Sequence, residues 1–276
     1  MRSTMLFSVN VSILFPNTPF VERFARAKAA GFSAVEFWWP SGEDLEQVEA
    51  AIRAAGLKVV LINFDAGNMP AGDRGLLSNP ERHEDFRKNV PVALAFAERL
   101  GCKQLNALVG VQLPNHTREE QLELARTNIA WAADQAASQG ATIMIEAVNT
   151  IENGPYLIHS TVQAAEFIAS VGRENVKLQY DAYHMQRMEG NLVATMRAHA
   201  EGIAHVQLAD SPGRGEPGTG EIHYSYLLRE LEALGYSGYV GLEYKPSGGG
   251  EKAEESFAWL PMEGRSGDIP ASALKL

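Results

Sequence analysis

One pattern recurs along the chain. A helical stretch ends in a glycine, and a short apolar run follows at once. It occurs at Ala30-Gly31-Phe32, Ala55-Gly56-Leu57, Leu100-Gly101-Cys102, Gln139-Gly140-Ala141, Glu201-Gly202-Ile203 and Leu234-Gly235-Tyr236, with a looser case at Val171-Gly172-Arg173. Glycine accepts the left-handed conformation that closes a helix, and the chain then turns into a strand. The runs that follow are near-continuously apolar: Ala34 to Phe37, Val59 to Asn63, Gln104 to Val109, Thr142 to Ala147, Val176 to Tyr180, Ala204 to Leu208 and Tyr239 to Glu243. Strands covered on both faces read this way, so the sheet should be parallel. Leu6 to Val11 supplies one more strand at the start. Helices are predicted over Phe20–Ala30, Leu45–Ala55, Glu81–Leu100, Arg118–Gln139, Val162–Ser170, Asn191–Ala200, Ser225–Leu234 and Glu251–Trp259.

Eight strand–helix units fit a single α/β domain, a (β/α)8 TIM barrel over residues 1–276, with an irregular tail from about residue 261. The rival is a doubly wound open sheet, but no G-x-G-x-x-G follows the first strand. Ala66 to Asn79 reads as a long loop. The tail either packs on a neighbouring molecule or covers the barrel bottom.

Composition bounds the function. The chain has 276 residues, 45% apolar and 21% charged, values of a globular protein. The formal net charge of -10 works against a nucleic-acid binder. No apolar run reaches the length of a membrane span. Met1-Arg2-Ser3-Thr4-Met5 leads into a strand rather than a signal peptide, and a single cysteine, Cys102, forms no internal disulfide; both point to the cytoplasm.

In a barrel of this kind the functional groups sit at strand C-termini. The fifth strand ends on Glu146, the sixth on Asp181 and the eighth on Glu243, and the seventh carries Gln207. Each residue alone reads equally well as a strand-end cap. Together, three carboxylates at one mouth repel one another unless a cation holds them, and an all-oxygen donor set suits Mg²⁺ or Mn²⁺ rather than Zn²⁺.

The same residues carry a resemblance. Ile145-Glu146 with Asn149-Thr150, Tyr180-Asp181-x-Tyr183-His184-Met185, His205 to Arg214, Glu216 to Ile222 and Gly241 to Pro246 resemble the xylose-isomerase-like barrels, which include ketose 3-epimerases, and are most similar to the hydroxypyruvate isomerase family. Glu146 is followed by Ala147-Val148 where the family carries a proline-containing turn. The resemblance implies a divalent metal held by Glu146, Asp181, Gln207 and Glu243, with Glu146 and Glu243 moving protons. It implies interconversion of hydroxypyruvate and tartronate semialdehyde through an enediolate.

His184 is either a contact to substrate oxygens or a packed loop histidine. Glu152 either orients a substrate hydroxyl or is solvated. Arg214 and Lys245, with help from His184 or His223, are the candidates to grip a substrate carboxylate; Lys245 faces the mouth if its strand persists that far. His205 reads as core. Asn10, Asn63 and Asn106 either line the mouth or cap loops. Trp38 and Trp39 wall the pocket, pack in the core or, like the tail, support a homo-oligomer.

The expected partner is a small carboxylic acid, with no nucleic acid and no membrane. Alternative activities are a ketose 3-epimerase, an isomerase of a four-carbon keto acid (2-oxo-tetronate) and an inositol-type dehydratase. An endonuclease of the multi-zinc type lacks its histidine cluster, and a non-catalytic barrel would not keep the four ligands.

Overall fold

The computed structural model describes residues 4–276; Met1, Arg2 and Ser3, part of the segment read for a signal peptide, lie outside the described residues. Eight parallel strands follow one another round the sheet: β1 (Leu6–Asn10), β2 (Ala34–Phe37), β3 (Lys58–Asn63), β4 (Gln104–Asn106), β5 (Thr142–Glu146), β6 (Val176–Asp181), β7 (Ile203–Leu208) and β8 (Tyr239–Leu242). β8 pairs back onto β1, from Leu6 opposite Tyr239 to Val9 opposite Leu242. That pairing closes the barrel and removes the open-sheet alternative.

Helices Arg23–Ala29, Leu45–Ala55, His83–Leu100, Arg118–Ala137, Thr161–Val171, Leu192–His199 and Tyr224–Ala233 lie between the strands within one or two residues of most predicted ends. Six of the seven punctuating glycines take positive φ; Gly202 instead closes a 3₁₀ turn, Ala200–Gly202. The predicted helix over Glu251–Trp259 is a 3₁₀ segment, Gly250–Phe257, broken at Lys252. Its entry is Gly248-Gly249-Gly250, and no side chain caps it, so nothing starts an α-helix there. β4 stops at Asn106 rather than Val109 because loops take the next backbone groups. The Val109 N–H donates to Tyr156 Oη at 2.8 Å, and Gly75 packs against the Leu108 carbonyl.

The tail beyond Pro261 returns to the barrel bottom. Met262–Ser266 is a short helix, and Met5 and Ile269 exchange backbone hydrogen bonds of 2.8 and 3.0 Å beside β1. Arg265 donates to the carbonyls of Ala30, Phe257 and Leu260. Among the described residues no helix is long and apolar enough to cross a membrane.

The barrel interior is layered. Its lower part holds apolar Ala34, Val60, Leu61 and Met144. Above them lies a polar layer centred on Glu36 of β2. Glu36 Oε2 accepts from Ser8 Oγ at 2.8 Å and meets His205 Nε2 at 2.9 Å; Oε1 accepts from Gln207 Nε2 at 2.7 Å. His205 is thus a core residue. Burial alone would raise the Glu36 pKa, but His205, together with Gln207 and Ser8, holds it below the usual carboxylate value. A side chain on Gly241 of β8 would strike this carboxylate, with Cβ 2.4 and 2.5 Å from its oxygens. Gly241→Ala should therefore lower the unfolding free energy by about 1–3 kcal/mol, the usual cost of overpacking, read from urea denaturation. An unchanged midpoint would show that Glu36 does not need that space.

Candidate active site

Glu146 and Asp181 are the last residues of β5 and β6, and Glu243 directly follows β8, so all three reach the C-terminal mouth. Asp181 divides its two oxygens. Oδ1 caps the helix Ala182–Met188, accepting the N–H groups of Tyr183 and His184 at 2.8 and 3.4 Å. Oδ2 is buried and has no hydrogen-bond partner. His184 Nε2 lies 3.7 Å from that oxygen and 3.8 Å from Glu146 Oε1. Glu146, Asp181 and His184 are all buried and close enough together to hold a metal ion.

Glu243 is held from three sides. Oε1 accepts from Asn10 Nδ2 at 2.9 Å and Trp38 Nε1 at 2.8 Å, and Oε2 accepts from Arg214 Nη2 at 2.6 Å. Among the described residues Glu146 has a single donor, Asn106 Nδ2 at 2.8 Å. Burial, then the charges of Glu243 and Asp181, push the Glu146 carboxyl well above its ordinary pKa. Burial also raises Asp181, against the pull of Arg214. Glu243 is raised to about 7 by burial, again with Arg214 opposing. Three buried carboxyls whose pKa values burial raises, one of them with an orphaned oxygen, form an oxygen-rich set suited to a hard divalent cation.

The hydrogen bonds of His184 set its tautomer. Asn149 Oδ1 accepts the Glu152 N–H at 3.0 Å, so Asn149 Nδ2 is the group that meets His184 Nδ1 at 2.7 Å. The Asn149 N–H also points at Nδ1, at 3.4 Å. Facing two donors, Nδ1 is the acceptor, and the proton is assigned to Nε2. Burial, then the charge of Arg214, holds the ring neutral. His184 therefore presents an N–H to the site, which suits an oxygen of a bound molecule better than a metal ion.

Gln207 lies beside Asp181 in register, but its amide belongs to the layer below. Nε2 donates to Glu36, and Oε1 accepts from Gln179 Nε2 at 2.7 Å, leaving one lone pair on that oxygen. Glu152 stands at the rim, accepting from Tyr183 Oη at 2.5 Å.

Arg214 is the counter-charge of Glu243 and lies over the Tyr183 ring, 5.3 Å from its centroid. Its loop is organised by buried Asp210, whose carboxylate accepts the N–H groups of Ser211, Gly218, Gly220 and Ile222. Lys245 is exposed and does not line the cavity; its backbone N–H donates to the Arg214 carbonyl at 2.7 Å. β8 ends at Leu242, so no strand register carries Lys245 inward. His223 is exposed and caps the helix Tyr224–Ala233. Trp38 walls the site, whereas Trp39 packs edge-on against Phe96.

Glu146 and Glu243 open into a cavity of about 70 Å³ that is also lined by Trp38, Asn63, Arg74, His184 and Arg214, among others. That is room for on the order of five waters. Larger concavities of about 460 and 780 Å³ lie at the N-terminal ends of the strands, away from the carboxylates. Two groups at this centre escape sequence reasoning. Glu36 had a signal, a carboxylate inside the apolar run Ala34 to Phe37. Arg74 had none beyond being a cation in a long loop.

A closed parallel barrel with carboxylates converging at its C-terminal mouth defines an enzyme barrel of the TIM class. Residues 24–262 match the Xylose isomerase-like TIM barrel family, and the chain belongs to it. It is 41% identical over 254 residues to hydroxypyruvate isomerase of Escherichia coli, covering 92% of this chain and 97% of that one. It is 37% identical over 253 residues to 2-oxo-tetronate isomerase of Pectobacterium atrosepticum, covering 92% and 95%. A crystal structure from Brucella melitensis, described as an AP endonuclease of family 2, superposes with a TM-score of 0.87 at 37% identity, covering 92% and 97%.

The raised Glu243 pKa has a defined consequence for stability. Between pH 4.5 and about 7 the folded protein keeps this proton while the unfolded chain has lost it. The native state then binds more protons, so stability falls as pH rises through that window. In chelator, the unfolding free energy of the parent minus that of Glu243→Gln should decrease from pH 5 to pH 8. A difference that stays level or rises would contradict the assignment.

Proposed function

We propose that the protein is a metal-dependent isomerase of small keto acids that interconverts hydroxypyruvate and tartronate semialdehyde, acting in the cytoplasm. The observation that carries this is that Glu146 and Glu243, from strands three places apart, line one cavity of about 70 Å³. Two carboxyls on one small cavity suit proton transfer between adjacent carbons of a small molecule. The names of the relatives support the substrate class.

The reaction moves one carbon-bound proton and one oxygen-bound proton. One glutamate removes a proton from the hydroxymethyl carbon, and the electron pair of that C–H bond forms the enediolate. The other glutamate delivers a proton to the neighbouring carbon, which had been the carbonyl. The hydroxyl proton crosses to the second oxygen, and the His184 Nε2–H serves as a hydrogen-bond donor to a substrate oxygen, keeping its own proton. Glu152, through Tyr183, shapes the rim. Glu146, Asp181 and Glu243, with the Gln207 oxygen as fourth donor, would hold Mg²⁺ or Mn²⁺, which would supply Lewis acidity for the reaction.

Three results test this account. Exhaustive chelation should abolish turnover of hydroxypyruvate, and Mg²⁺ or Mn²⁺ should restore it. Glu146→Gln and Glu243→Gln should each lose about 10²–10⁴ in rate while staying folded, since an amide keeps an oxygen donor but carries no proton. Deuterium from solvent should appear at the receiving carbon. A loss below tenfold in both variants would assign proton transfer to other groups. The four-carbon alternative is tested by comparing kcat/KM for hydroxypyruvate and 2-oxo-tetronate; a higher value for the latter would reassign the substrate.

A further inference from the structure

We propose that Arg74 makes this site selective for acids: its guanidinium pairs with the substrate carboxylate. The inference rests on the isomerase reading for the reaction, and on the surroundings of Arg74 for the anion.

Arg74 enters the carboxylate-lined cavity from the loop after β3. Three of its donors are used within the protein. Nε donates to Asn153 Oδ1 at 2.9 Å, and Nη1 donates to the carbonyls of Met69 and Asp73 at 2.8 and 2.7 Å. All three acceptors are neutral. Among the described residues Arg74 has no ion pair, and its Nη2 has no hydrogen-bond partner. Arg214, the other cation on the cavity, is committed to Glu243 at 2.6 Å. Arg74 is thus the cavity's cation without a counter-ion.

The charges agree. Three carboxylates against Arg214 and a divalent ion leave the site formally neutral. Arg74 makes it positive by one charge, matched to a monoanion. The protein as a whole carries -10, so attraction of a small anion must come from within the site.

The guanidinium is also held still. Gly75, at φ 116°, packs so closely on β4's exit that a Cβ would lie 1.9 Å from the Leu108 carbonyl oxygen. Asn153 is fixed in turn by its Nδ2, which donates to the Asn149 carbonyl at 3.1 Å. Asn149 also holds His184, so one short segment sets the anion donor and the imidazole together. A donor whose geometry is fixed before binding loses little freedom on meeting its ligand.

The test uses Arg74→Gln and Arg74→Lys in the metal-loaded full chain. Calorimetry with glycerate, an unreactive acid of the same length as hydroxypyruvate, reads the anion site. Titration with Mn²⁺ reads the carboxylate cluster. Arg74→Gln should weaken glycerate binding, and raise KM for hydroxypyruvate more than it lowers kcat, by about tenfold or more, the range for a lost charged hydrogen bond. Arg74→Lys should recover part of that loss, and Mn²⁺ affinity should stay at the parent value in both variants.

Glycerate binding within twofold of the parent in Arg74→Gln would overturn the inference. So would no glycerate binding by the parent, or a matching loss of Mn²⁺ affinity, which would make Arg74 a structural tie. If the parent does not turn over hydroxypyruvate but glycerate binding still depends on Arg74, the isomerase reading fails and the anion site stands. If turnover is normal and Arg74→Gln changes nothing, the reverse holds.

Discussion

Three carboxylates share one buried mouth, and one arginine, Arg214, is ion-paired with them, through Glu243. In water such groups would barely notice one another. Out of water burial raises the pKa of each, and their oxygens need donors that the surrounding residues only partly provide. Glu243 has three donors, Glu146 has one, and Asp181 leaves Oδ2 with none. A cation bound at this mouth would ionise the three groups together.

The layer beneath shows what a structural carboxylate in the same barrel looks like. Glu36 is as buried as the others, yet both its oxygens are occupied and its pKa is lowered. Gly241 leaves room for it, and Gln207, beside Asp181 in register, donates to it. A fully paired charge of this kind holds neighbouring side chains in place. The underpaired carboxyls above it stay available to a cation and a substrate. The barrel thus separates the two roles by depth.

How much of this could be read from the sequence depends on what each residue answers to. Glu146, Asp181 and Glu243 end apolar parallel strands, and a polar residue there has only the mouth to enter. The helix ends were legible because glycine conformation is local. Arg214 was visible as a loop cation, but its pairing with Glu243 depends on a loop wound around Asp210, which no local rule encodes. Lys245 was expected inward by strand alternation, and the strand ends at Leu242. Arg74 was hidden because the conformation of the 66–79 loop is set by the close approach of Gly75 to Leu108, a tertiary contact. Glu36 lies inside a four-residue strand that otherwise reads as core.

The central claim is that the raised carboxyls belong to a cation site, and proton release tests it directly. A ligand carboxyl must lose its proton to bind a metal, so binding and ionisation are coupled. Calorimetric titration of metal-free protein with Mn²⁺ near pH 6.5, in two buffers of different ionisation enthalpy, counts the protons released. The account predicts saturable binding with net proton release that diminishes as the pH is raised well above 7. Binding without proton release, or no binding, would contradict it.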